Sequence, residues 1–155
     1  MNVTCRKAKT EDIEQLHELI AHYAERGIML PRSREALARQ LASFVVAVEE
    51  ASDRLVGCGS LCQLGSDLVE IRSLGVSEDF KGRGIGSRIV EILECEARSK
   101  QIPKLMALTY EVLFFKRNGF EVVEKEIFPE KVWRDCVHCK KQHCCDEIAV
   151  LKRLD

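Results

Sequence analysis

The stretch Leu74-Gly-Val-Ser-Glu-Asp-Phe-Lys-Gly-Arg-Gly-Ile-Gly86 sets three glycines, Gly82, Gly84 and Gly86, between an apolar segment and the start of a helical pattern. Glycine lets a backbone approach a ligand closely, and a helix N-terminus offers unpaired N–H groups to an anion. A phosphate or pyrophosphate is the natural guest. Two familiar versions of such a loop fail on the residues. A dinucleotide fingerprint counted from Gly82 needs glycine at 87, where Ser87 stands, and a P-loop needs Gly-Lys-Ser/Thr after four residues, which is absent. Lys81 and Arg83 beside the glycines favour an anion site over a plain strand-to-helix turn.

Working outward, Leu68 to Val76 reads as a strand, and Gly65-Ser66-Asp67 as the turn before it. After the loop, Ile85, Ile89, Ile92, Leu93 and Ala97 recur at helical spacing, and the helix ends before Pro103. Lys104 to Thr109 is the next strand. Glu111 to Asn118 is a short helix closed by Gly119, and Phe120 to Lys125 and Glu147 to Leu151 are the last strands. On the N-terminal side, Val3 to Lys7 alternates as a first strand. Thr10 is placed to cap a helix carrying Ile13, Leu16, Ile20 and Tyr23, with Gly27 as its stop. Ser33 caps a second short helix with Leu37 and Leu41. Phe44 to Glu49 and Leu55 to Leu64 are β-rich, with Ser52-Asp53 as the turn. One mixed α/β domain fits, with antiparallel hairpins early and a β-loop-α-β unit late.

Composition is compatible with this. The 155 residues suit one domain, and 46% hydrophobic against 32% charged residues exclude a wholly disordered chain or a coiled-coil rod. The longest apolar run, Phe44 to Val48, is far short of a membrane span. A net charge of −1, from 24 basic and 25 acidic residues, argues against a nucleic-acid partner. The segment MNVTCRKAKTEDIEQ lacks the apolar core of a signal peptide, so the cytoplasm is the expected compartment. In that compartment the eight cysteines are expected as thiols or metal ligands. Cys5, Cys58, Cys62 and Cys95 sit among apolar neighbours and read as buried small residues.

Lys81-Gly82-Arg83-Gly84-Ile85-Gly86 resembles the pyrophosphate loop of the GNAT acetyltransferases, usually Arg/Gln-x-x-Gly-x-Gly/Ala, with Lys81 departing from the first position but keeping a charge. Leu74-Gly75-Val76 before the loop, and Phe114-Phe115-Lys-Arg-Asn-Gly119-Phe120 after the next strand, fit the same family. Further segments are similar to its short bacterial N-acetylglutamate synthase-like amino-acid acetyltransferases. They are Leu30-Pro31-Arg32-Ser33, Glu70-Ile71-Arg72-Ser73-Leu74, Ala107-Leu108-Thr109-Tyr110, Pro129 to Cys136 and Cys145 to Ala149. The resemblance implies a single GNAT domain over 1–155, with a central, mostly antiparallel sheet and a Cys-rich insertion at about 129–146. It also implies acetyl-CoA as donor, glutamate as acceptor, a role in arginine biosynthesis, and a homodimer as one expected state.

Acetyl transfer needs a held thioester, a deprotonated amine, a stabilised oxyanion and a protonated leaving thiolate. The donor set expected for acetyl-CoA is Leu74, Gly75, Val76, Lys81, Gly82, Arg83, Gly84, Ile85, Gly86 and Ser87. By the family resemblance Leu74 to Val76 lie along the pantetheine arm, and an N–H such as that of Val76 polarises the thioester carbonyl. Glu70 is the candidate base; a strand-edge salt bridge is the alternative. Arg72 shares its face of the strand and can grip a carboxylate with two parallel bonds. Arg32 and Lys131 are further candidates for the acceptor. Many GNAT enzymes place an acidic tyrosine where Phe115 stands here, so Thr109, Tyr110 or water is left as the acid. Phe115 is also the one feature favouring a non-catalytic acyl-CoA sensor. Another small amine or a protein amine is the alternative acceptor.

Cys136, Cys139 and Cys145 are the candidate zinc ligands, with His138, His143, Cys144 or Asp146 completing four. A loop of reduced thiols is the competing reading, because no second Cys-x-x-Cys pair is present. Trp133 would pack the insertion on the domain or wall the acceptor site.

Overall fold

The computed structural model describes residues 2–124 and 147–154. The described chain forms two compact units, one of residues 2–61 and 71–95 and one of 62–70, 96–124 and 147–154. The zinc candidates Cys136, Cys139 and Cys145, with Lys131 and Trp133, lie outside the described residues.

The first unit contains β1 (Val3–Lys7), α1 (Ile13–Ala24), α2 (Arg34–Arg39) and β2 (Phe44–Glu49). It also contains most of β3 (Arg54–Gln63), the second half of β4 (Leu68–Val76) and the first eleven residues of α3 (Ile85–Ser99). Its strands follow the order β1-β2-β3-β4. The β1/β2 ladder pairs Val3 with Glu49 and Lys7 with Val45, antiparallel, and β2/β3 is antiparallel with a bulge at Ala47/Val48. The early hairpins join β2, β3 and β4, and β1 reaches β2 through the two expected helices.

Leu16 and Ile20, one helical turn apart on α1, are buried with Leu37, Phe44 and Val46 in one cluster. Each such side chain gains about 1.5–3 kcal/mol by leaving water. The other face of β3 carries Gly57 and Gly59. A Cβ on Gly59 would stand 2.9 Å from Ile89 and 3.2 Å from Leu93, so the missing side chains let α3 lie close against the strand. Leu41 falls in a separate 3-10 turn after α2. Of the four cysteines read as buried, only Cys58 is; Cys5 and Cys62 are half-buried, and Cys95 is exposed because it sits on the outward stripe of α3.

The entry to α1 differs from the expected Thr10 cap. Thr10 to Asp12 forms a 3-10 turn capped at Lys9, and the Asp12 carboxylate accepts the Lys9 N–H at 2.7 Å. Asp12 also receives the Arg6 guanidinium through two bonds, at 2.7 and 3.1 Å. Burial pushes the Asp12 carboxyl up, but the Arg6 pair and the Lys9 N–H outweigh it and hold it below the usual range. A depressed carboxylate adds stability above its unfolded value near 4 and loses it as pH falls through the folded value. Thermal stability should therefore drop below about pH 4, and Asp12→Ala should cost about 1–3 kcal/mol at pH 7 and flatten that acid limb. Melting curves of both proteins from pH 3 to 7 check this; an equally steep acid limb in the variant would exclude Asp12 as the source.

The second unit follows the order β4-β5-β7-β6, with β5 (Lys104–Thr109), α4 (Val112–Arg117), β6 (Glu121–Val123) and β7 (Ile148–Arg153). Leu68 to Glu70 pair in parallel with Lys104 to Met106. This is the parallel step expected of a β-loop-α-β unit. β5/β7 and β7/β6 are antiparallel. The strand read as Phe120 to Lys125 is shorter because Phe120 turns inward, edge-on to Phe115 at 5.1 Å. Phe115 is buried between Phe114 and Phe120.

Candidate active site

β4 carries the candidate catalytic and donor residues in sequence order. Glu70, only 3% exposed, closes the parallel ladder opposite Met106. Arg72, half-buried, stands two residues on, so strand alternation gives both side chains one direction. Ser73 then adopts φ 52°, a left-handed conformation that a non-glycine residue rarely takes inside a strand. Beyond it, Leu74, Gly75 and Val76 are half-buried. Leu74 packs toward α3, while Gly75 faces Tyr23 and Met29, whose Cε would be 2.6 Å from an added Cβ.

Three carbonyls of this half-strand accept bonds from side chains. Ser60 Oγ donates to Arg72 at 3.1 Å, Cys58 Sγ to Ser73 at 3.1 Å, and the Tyr23 hydroxyl to Val76. Burial pushes the Cys58 thiol up to about 12, so it stays protonated and able to donate. The left-handed Ser73 and the Tyr23 bond carry no strong sequence signal. Tyr23 reads only as an apolar helix position.

The loop after β4 exposes Lys81, Gly82, Arg83 and Gly84. Gly82 and Gly84 both have φ 79°, with nothing within 4 Å of where a Cβ would stand. Left-handed residues alternating with right-handed ones turn successive N–H groups to one side, an arrangement suited to anions. The loop then runs into the fifteen-residue α3, whose first-turn N–H groups lack partners within the helix. Glu78 and Asp79 precede the loop and would repel an anion if left alone. Glu78 meets His22 at 3.2 Å, and Asp79 is gripped by Arg54 at 2.8 and 3.1 Å. These hydrogen bonds, His22 on one and Arg54 on the other, hold both carboxyls below their ordinary values. Lys81 rests over the Tyr23 ring at 5.1 Å, and Arg83 over Phe80 at 4.9 Å. Each acid thus has a basic partner, and each cation also packs on an aromatic face.

The other expected residues are placed as follows. Ile85 is buried; Gly86 and Ser87 are half-buried. Arg32 is half-buried, just ahead of the Ser33 cap of α2, where Ser33 Oγ accepts the Ala36 N–H at 3.1 Å. Thr109 is buried, its Oγ1 accepting the Glu111 N–H at 2.7 Å. It stands three residues from Met106, hence on the opposite face of β5 from the residue paired with Glu70. Tyr110, just past the strand, is 38% exposed. Among the described residues, no group of three or more His, Cys, Asp or Glu is placed to hold a metal ion, and no helix is long and apolar enough to cross a membrane.

Comparison with known proteins agrees with this geometry. The acetyltransferase (GNAT) domain family matches residues 40–122. An uncharacterized N-acetyltransferase of Chlorobaculum tepidum is 40% identical over 97% of each chain. An amino-acid acetyltransferase of Mycobacterium tuberculosis is 37% identical over 81% of this chain and 75% of its own. One from Pseudomonas fluorescens is 33% identical over 80% of this chain, which spans only 29% of that longer protein. The N-acetylglutamate synthase of Neisseria gonorrhoeae, solved with coenzyme A and N-acetyl-glutamate, superposes with a TM-score of 0.85 at 28% identity, over all of this chain and 36% of its own. A Mycobacterium tuberculosis protein solved with CoA gives 0.85 at 31% identity, over 98% of this chain and 99% of its own. The chain belongs to the GNAT acetyltransferase family. Within it, the chain is an acetyl-CoA-dependent N-acetyltransferase of GNAT type with amino-acid acetyltransferases among its relatives.

Proposed function

We propose that this chain transfers the acetyl group of acetyl-CoA to the α-amine of an amino acid, L-glutamate first among them. The observation that carries the reading is β4. One strand holds a buried carboxylate at Glu70, a guanidinium at Arg72 and the half-buried Leu74–Val76 segment, then opens into the Gly82/Gly84 loop. The choice of glutamate rests on relatives named amino-acid acetyltransferase and N-acetylglutamate synthase.

In this reading, backbone N–H groups from Arg83 to Ser87 take the pyrophosphate, with Lys81, Gly82, Gly84, Ile85 and Gly86 shaping the loop. Glu70 removes a proton from the acceptor ammonium. The freed amine nitrogen attacks the thioester carbon, and the carbonyl oxygen takes the electron pair while the Val76 N–H stabilises it. The carbonyl then re-forms, the C–S bond breaks, the attacking nitrogen gives up its second proton to water, and the thiolate takes a proton. Tyr110 suits that last step better than Thr109, whose hydroxyl is bonded to the Glu111 amide and lies on the other face of β5. Arg72, Arg32 and Lys131 bind the acceptor carboxylates. A structural zinc on Cys136, Cys139 and Cys145, a homodimer, a cytoplasmic location and a place in arginine biosynthesis belong to the same proposal.

The test is release of free CoA from acetyl-CoA against amino acids, polyamines and a lysine peptide. Turnover highest with glutamate, by at least about tenfold in kcat/KM, is the expected result. Turnover with peptide or polyamine alone would overturn the acceptor and leave the reaction class standing. Tight acetyl-CoA binding with no turnover on any amine would favour the acyl-CoA sensor.

A further inference from the structure

The last turn of α1 is fastened to the end of β4 and to the glycine loop at three points. The Tyr23 hydroxyl donates to the Val76 carbonyl. The Lys81 ammonium lies over the face of the same ring at 5.1 Å. One residue earlier, His22 meets Glu78 at 3.2 Å. The ring itself fills the space that Gly75 leaves, its edge atoms 3.2 Å from where a Cβ would be. Tyr23 is 3% exposed, so neither its hydroxyl nor its ring edge has water as an alternative partner.

This position matters because of what β4 lacks nearby. Ser73 is left-handed, so the strand breaks its regular path three residues before Val76. Such a conformation persists only where surrounding contacts over-determine it. Cys58 and Ser60 hold the carbonyls on the near side of the break, at Ser73 and Arg72. On the far side a side chain holds Val76: Tyr23, reached from a helix fifty-three residues earlier in the chain.

We propose that Tyr23 is a positioning residue for the acyl donor. Its hydroxyl fixes the Val76 peptide at the thioester end, and its ring seats Lys81 at the pyrophosphate end. This rests on the acetyl-CoA reading above and extends it, because one side chain sets the spacing between two subsites of one ligand. It also explains lysine at the loop's first position: its ammonium spans from the strand's end to the Tyr23 ring.

Tyr23→Phe removes only the hydroxyl; the ring, the Gly75 contact and the Lys81 seat remain. The test pairs steady-state kinetics with amide hydrogen exchange. In Tyr23→Phe, kcat should fall about tenfold, with the KM for acetyl-CoA within about twofold of the unaltered chain. Exchange across residues 74–81 should quicken at least about tenfold while β1 and β2 stay protected. Tyr23→Leu, which also loses the seat, should add a rise of about fivefold in that KM. Unchanged exchange at 74–81 in Tyr23→Phe, or faster exchange spread evenly over the first unit, overturns the proposal. So do kinetics identical to the unaltered chain. If the unaltered chain neither binds nor turns over acetyl-CoA, the function reading fails, and the exchange data alone still decide whether Tyr23 holds Val76.

Discussion

Replacing Glu70 by glutamine is expected to lower kcat by about 100- to 1,000-fold, the range a positioned general base supplies. The substitution keeps the size of the side chain in a position that is 3% exposed and replaces one acceptor oxygen with an amide donor that cannot take a proton. Binding separates this role from the strand-edge salt bridge. Acetyl-CoA should bind Glu70→Gln as it binds the unaltered chain, because the residues assigned to it begin at Leu74. The acid limb of the pH–rate profile, where a base becomes protonated, should vanish. A kcat within threefold of the original, or an unchanged acid limb, would return Glu70 to a structural role and shift proton removal to solvent.

The second large effect is expected at the loop. Gly82 and Gly84 both hold φ 79° in open space. A methyl group at either meets nothing, so crowding is not the penalty; the backbone conformation is. An L-residue pays about 1–2 kcal/mol to stay left-handed. The double variant Gly82→Ala/Gly84→Ala therefore carries about 2–4 kcal/mol of strain. An exposed loop relieves it by turning to negative φ, which moves the N–H groups away from the anion. The dissociation constant for acetyl-CoA, measured by calorimetry, should rise about 30- to 700-fold, while the melting temperature changes by only a few degrees. A dissociation constant within threefold would mean that the loop does not hold the pyrophosphate. At Gly59, by contrast, the same methyl group would meet Ile89 at 2.9 Å, and the cost would appear in folding.

The order of elements was legible because each is marked locally. The helical spacing of Ile85, Ile89 and Leu93 survives as the buried face of α3. The Ser33 cap is present as read, and the glycine loop stands between β4 and α3 as expected. Entry to α1 is not set by Thr10: Asp12 reaches back to the Lys9 N–H, and Arg6 holds its carboxylate from the preceding strand. Cys95 was misread because its apolar neighbours Ile92 and Leu93 belong to other stripes of the helix.

What the sequence by itself determined is the kind of protein and where its candidate donor site falls. Short-range signals, glycine spacing and strand and helix periodicity, are enough to specify a strand, an anion loop and a helix in that order. What only the tertiary structure decided is how that site is held. The left-handed Ser73, the partners of Glu78 and Asp79, and the Tyr23 bridge from α1 to Val76 and Lys81 join residues up to fifty-eight positions apart. No local pattern encodes such pairings. They arise because burying Leu16, Ile20 and Tyr23 fixes where α1 ends, and only then does a phenol face the carbonyl at the end of β4.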